Sequence, residues 1–109
     1  IEEALRLTAK IILPPGLYML SEKHRLPYES VQINSSRGRW GSCSSRKKIN
    51  LSYFLVLLPK HLIDYVLLHE LCHTCEMNHG DRFWDLLNGL TDGKALELRE
   101  ELKRYKTEI

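Results

Sequence analysis

The run His69-Glu70-Leu71-Cys72-His73 sets two imidazoles four residues apart, with a carboxylate directly after the first. An α-helix turns about 100° per residue, so residues i and i+4 leave the same face one above the other. Two histidines so placed can share one cation. A glutamate about 100° further round lies beside that cation, where it can take a proton from an activated water. The pattern is HExxH, and it points to metal-assisted hydrolysis with Glu70 as general base. The rival reading is a pair of surface histidines with His79 capping a turn. It fits less well, because the stripe continues Leu62 and Val66 onto a face that should be buried, where unpaired imidazoles are costly.

A catalytic zinc usually takes three protein ligands and keeps a position for water or substrate, so a third donor is needed. His79, six residues past His73 and just beyond an Asn-Gly stop, is the best candidate. Glu76 would stand about 10 Å along the helix from His69, too far to close a tetrahedron. Cys75 points roughly 240° away from His69, and Cys72 diverges from His73 by about 100°, which suits a small buried filler. Glu97, Glu100 or Glu101 from the last helix are the remaining rivals. Cys72 and Cys75 also invite a redox reading, but the strand-then-helix setting of a thioredoxin-like site is missing.

These residues must be held by a chain of 109 residues with 43% apolar and 28% charged side chains, which describes a single compact domain over 1–109. Its core is thin enough that a bound metal would add noticeably to stability. The best apolar run, Tyr53 to Leu58, is stopped by Pro59 and falls far short of the ~20 residues of a membrane span, so no membrane is expected. The chain starts at Ile1 with no basic-then-apolar leader and reads as a piece of something longer. Three cysteines cannot all pair within the chain, and two share one helical turn, which suits a reducing, cytoplasmic setting. Residues 1–58 carry 9 basic and 4 acidic side chains, whereas 59–109 carry 7 and 10. Much of the first excess sits in Arg37, Arg39, Arg46, Lys47 and Lys48, a solvated hairpin face or a contact for nucleic acid.

Periodicity predicts an amphipathic helix from Glu2 to Leu13, ended or kinked by Pro14-Pro15, and a second helix from there to about Arg25. Alternation around Val31 and Ile33, at Arg39-Trp40, and at Ile49 and Leu51 predicts three short strands in an antiparallel meander or a mixed sheet. Pro59 opens a long helix carrying Leu62, Val66, His69, His73 and Met77 on one stripe, stopped by Asn78-His79-Gly80. A short helix from Asp81 to Leu90 and a charged one from Lys94 to about Lys106, with Leu98, Leu102 and Tyr105 inward, complete an α+β chain.

Arg39-Trp40-Gly41-Ser42-Cys43, Ile49-Asn50-Leu51, Leu57-Leu58-Pro59, Asp64-Tyr65-Val66, the HExxH run, Asn78-His79 and Phe83-Trp84 occur in this order. In this ordered series the sequence resembles the YgjP-like metal-dependent hydrolases, zincin-type domains more distantly similar to SprT-like and Wss1-like proteases. The resemblance spans about Leu5 to Leu87. It implies a minimal zincin fold with a small sheet on helices, His69, His73 and His79 as zinc ligands, Glu70 as catalytic base, and a chain forming the C-terminal catalytic part of a longer protein. Two departures stand out. Gly80 replaces the family's usual serine, which would cap the next helix. The three-histidine spacing is that of metzincins, but Glu76 stands in place of their turn glycine.

Arg39, Ser42 and Cys43 are expected on a strand bordering the cleft, where a peptide could add as a further strand, or in a turn with Trp40 plugging the core. Arg39 or Tyr65 could stabilise an oxyanion. Phe83 and Trp84 are expected to pack beneath His79, and His24 and His61 to be ordinary, partly exposed histidines. The leading expectation is a zinc-dependent peptidase acting on peptide or protein. The alternative is a catalytically silent, zinc-stabilised interaction module contacting nucleic acid through the basic 37–48 hairpin. Glu70 favours the enzyme, because a structural zinc needs no base.

Overall fold

A computed structural model describes residues 1–105. The elements follow in the order α1 (Glu2–His24), β1 (Ser30–Asn34), β2 (Gly41–Cys43), β3 (Lys48–Ser52), a 3₁₀ helix (Tyr53–Leu57), α2 (Lys60–Cys72), α3 (Asp81–Leu90) and α4 (Ala95–Leu102). The expected α+β class is the observed one, a three-stranded mixed sheet packed against helices.

The first helix corrects the expected break. Pro14 and Pro15 lie inside one continuous helix. The carbonyls their missing N–H groups would have met belong to Lys10 and Ile11, both exposed, so water can serve them instead. Ala9, Leu13, Leu17 and Ser21, all buried, recur every four residues straight through the prolines. That unbroken apolar seam outweighs the lost hydrogen bonds. Arg25 then ends the helix in the left-handed conformation, its N–H bonded to the Ser21 carbonyl.

The sheet is mixed, and the meander is corrected. Strand order is β1-β3-β2, with β1 parallel and β2 antiparallel to β3. Ile49 and Leu51 are fully buried, which suits β3 to the centre. Cross-strand rows run Val31-Ile49-Cys43 and Ile33-Leu51-Gly41. To bring β1 beside β3, the chain between β1 and β2 must cross the end of the sheet. Ser52 ties that crossing down: its hydroxyl donates to the Ser36 carbonyl (2.7 Å), and its N–H donates to the Trp40 carbonyl (2.9 Å). Arg37 reaches Glu2 of α1 (3.2 Å), which also accepts from the Tyr53 hydroxyl.

The apolar run after β3, which carried no predicted element, is the 3₁₀ helix. Its N-cap is again Ser52, accepting from the Phe54 N–H at 3.2 Å. Pro59 precedes α2 as foreseen, but α2 stops at Cys72 instead of reaching Asn78. The next N–H groups turn back three residues, Thr74 to Leu71 and Cys75 to Cys72, both at 3.0 Å, tightening the chain away from the helix axis. Met77 therefore lies off the helical stripe. Helix α2 is buried almost all round, with Leu62, Tyr65, Leu67 and Leu71 among the core residues, because α1, β2, α3 and α4 all lean on it. Helix α3 has the predicted bounds, and its cap residue Gly80 makes no side-chain bond, as the missing serine implied. Helix α4 ends at Leu102, short of the expected bound, because the N–H groups of Arg104 and Tyr105 turn back three residues to Glu101 and Leu102; Lys106 lies outside the described residues.

Candidate metal centre

Helix α2 delivers His69 from its last turn and His73 as its C-cap, still in right-handed geometry at φ −68°, ψ −14°. The tight turn that follows carries the chain back so that His79 faces both. His79 Nε2 lies 3.0 Å from His73 Nε2 and 3.3 Å from His69 Nε2. Four ligands held at 2.0–2.1 Å in a tetrahedron stand about 3.3 Å apart, so the two separations at His79 suit a zinc-sized cation, and all three donors lie within 4.8 Å of one another. Among the described residues this is the one cluster of three or more such donors able to hold a metal ion.

The tautomers agree with that use. His73 Nδ1 lies 2.9 Å from the Glu76 carbonyl, which can only accept, so Nδ1 carries the proton and Nε2 offers its lone pair. Burial, reinforced by the neighbouring His73 and His79, pulls His69 down to a pKa of about 3. Burial likewise lowers His73. Neutral imidazole is the form that binds metal. Phe83 of α3, wholly buried, backs all three rings at centroid distances of 4.9, 4.5 and 4.8 Å, and it stacks on His73. Trp84 stands behind it, 6.3 Å from His79. Both aromatics therefore pack against His79 as expected.

Glu70 is 5% exposed, and its Oε1 has no hydrogen-bond partner. Burial raises its pKa to about 7, against the opposing charge of Arg39. The carboxylate opens onto a cleft of about 380 Å³ that it shares with the three histidines, Arg39, Gly41, Ser42, Cys43 and Met77. Arg39, Ser42 and Cys43 all line this cleft, Ser42 and Cys43 from β2 and Arg39 from the segment before it, outside the strand. Cys43 is a free thiol whose pKa burial lifts to about 11, so it stays protonated there. On the other flank of the triad, a second cavity of about 490 Å³ lies between His69, His79, Tyr65, Trp84, Arg99 and Leu102. The Tyr65 hydroxyl is buried without a partner, and burial raises its pKa to about 12.

Of the rival third donors, none joins the cluster. Cys72 is a buried filler and Cys75 is exposed. Glu100 pairs with Lys103 at 3.0 Å and Glu101 with His61 at 2.7 Å. The basic cluster does not form one face: Arg37 turns onto Glu2 and the Phe54 ring, Arg39 lines the cleft, and Arg46, Lys47 and Lys48 are exposed around the β2–β3 turn. His24 is partly exposed, as expected. Sequence reasoning missed Arg99 and the role of Gly41. Arg99 flanks the inward Leu98 and Leu102 of α4, and that border position was the available signal.

A helix carrying two histidines four residues apart, packed against a small mixed sheet, with a third histidine returning from the turn behind it, suits a metallopeptidase frame. The crystal structure of the metallopeptidase zymogen of Pyrococcus abyssi abylysin has the same fold, with TM-score 0.72 and 20% identity over 84% of this chain and 91% of that one. No curated protein matches the chain significantly. Residues 1–105 match the YgjP-like metallopeptidase domain, and the chain belongs to that family of metal-dependent peptidases.

Proposed function

We propose that this chain is a zinc peptidase in which His69, His73 and His79 hold the ion and Glu70 is the general base. One observation carries the reading: three Nε2 atoms converge, with separations of 3.0 and 3.3 Å to His79, in a cleft shared with an unpartnered buried carboxylate. The ion, when bound, supplies Lewis-acid chemistry, polarising the scissile carbonyl and acidifying water. Glu70 takes the proton from the attacking water and hands it to the leaving amine. Its raised pKa suits both halves of that transfer, and a nearby cation favours the carboxylate that must begin it.

Strand β2 pairs with β3 along one edge only. An extended peptide adding to the other edge would have its main chain aligned by backbone hydrogen bonds across the cleft. Tyr65, kept protonated by burial, donates to the developing oxyanion, and Arg39 adds positive charge from the β2 side. A purely structural zinc module would gain nothing from a buried carboxylate left without a partner beside the ion. Free thiols at Cys43, Cys72 and Cys75 support a cytoplasmic setting. Metal analysis of the purified protein, followed by cleavage of an unstructured polypeptide by wild type and Glu70→Gln, tests the reading. One zinc per chain in both, with cleavage only in wild type, is expected. Undiminished cleavage by the variant would refute the role of Glu70.

A further inference from the structure

The cavity between the histidines and α4 holds a cation that the proposed reaction does not use. Arg99 projects from α4 into this space, and its guanidinium lies over the Trp84 ring with Cζ 5.6 Å from the centroid. That cation–π contact holds the group beside the ring, and its N–H groups make no hydrogen bond among the described residues. The α4 carboxylates nearest in sequence are engaged elsewhere, Glu100 with Lys103 and Glu101 with His61. Arg99 has no ion pair among the described residues. Leu102 and the Trp84 face give the remaining wall an apolar character.

We propose that Arg99, held beside the Trp84 ring, is a specificity residue that binds a carboxylate of the peptide substrate in the cavity beside His69 and His79. A single planar guanidinium matches a singly charged, planar carboxylate through two parallel hydrogen bonds. The carboxylate can come from an acidic side chain near the scissile bond or from the substrate's C-terminus, and the chemistry of the pocket serves both. The proposal rests on the peptidase reading for its choice of a peptide as occupant.

The test measures binding to the zinc-loaded Glu70→Gln protein, which separates recognition from turnover. Three probes are compared by calorimetry and tryptophan fluorescence: a doubly blocked peptide containing Glu, its Gln counterpart, and the Gln peptide with a free C-terminal carboxylate. One of the two carboxylate peptides is expected to bind roughly tenfold or more tightly than the blocked Gln peptide, and which one identifies the source. Adding Arg99→Met should erase that preference, whereas Arg99→Lys should keep part of it, since charge survives but the fork is lost. Zinc content and circular dichroism verify that each variant is folded. Equal binding of all three probes, or a preference that survives Arg99→Met, would overturn the assignment. Arg99-dependent preference in a wild-type protein that cleaves none of the probes would overturn the peptidase reading and leave the carboxylate site standing.

Discussion

Gly41 and Glu70 lie in direct contact: a Cβ on Gly41 would stand 3.1 Å from Glu70 Cγ, with the Asn50 carbonyl and Leu51 Cδ2 each 3.2 Å away. The backbone side cannot yield, because β2 and β3 are paired there. The side chains that must give way are therefore Leu51 and Glu70, the carboxylate proposed as base. Gly41→Ala is expected to lower kcat by about tenfold or less through a displacement of a few tenths of an ångström, with KM and zinc content little changed. Steady-state kinetics with parallel metal analysis will decide. A fall in zinc content matching the fall in kcat would mean that the whole site had collapsed.

Glu70 also makes metal-free stability depend on pH. A carboxyl whose folded pKa is raised from 4.5 to about 7 favours folding fully below pH 4.5 and loses that contribution as the pH climbs through 7. His69, depressed to about 3, has the opposite dependence: its contribution is present above pH 6.5 and lost as the pH falls toward 3. The histidine is common to wild type and Glu70→Gln, so its effect cancels between them. Denaturant unfolding of the metal-free proteins should show the variant more stable at pH 8 by up to about 3 kcal/mol, and the gap should close near pH 4.5. A gap independent of pH would exclude ionisation as its cause.

Replacing His79 with Ala removes one corner of the donor triangle and leaves the α2 pair in place. Zinc affinity is expected to fall by more than about a hundredfold, beyond the loss typical when only a residue hydrogen-bonded to a ligand is replaced. Competition with a chromophoric chelator measures it directly. Unchanged affinity would remove His79 from the coordination set.

Phe83 backs all three imidazoles and is wholly buried. Phe83→Ala should cost about 3–5 kcal/mol of stability from the cavity it leaves. It should also weaken zinc binding, because the rings lose their common support. Thermal unfolding with and without zinc separates the two effects: a variant stabilised by zinc as strongly as wild type would show that Phe83 supports the core alone.

Much of this was legible in the sequence because it depends on local periodicity. HExxH fixes the relation of His69, Glu70 and His73 within a single helical turn, and the bounds of α3 follow from Gly80-Asp81 and Thr91. What escaped depends on distant contacts. Pro14 and Pro15 looked like a break because the seam of Ala9, Leu13, Leu17 and Ser21 acquires its value only when α2 packs against it. Strand order was hidden because alternation reveals which face of a strand is buried but not its neighbour. The early end of α2 reflects a turn closed by backbone bonds after Cys72, for which no glycine or proline gives notice.

The double fastening of the β1–β2 crossing by Ser52 makes one lip of the cleft an immovable jaw, since lifting it would unzip the sheet. The opposite lip carries Met77 and His79. A cation held jointly by His79 and the α2 histidines would tie that lip to the helix, so that taking up the ion would also set how wide the mouth stands.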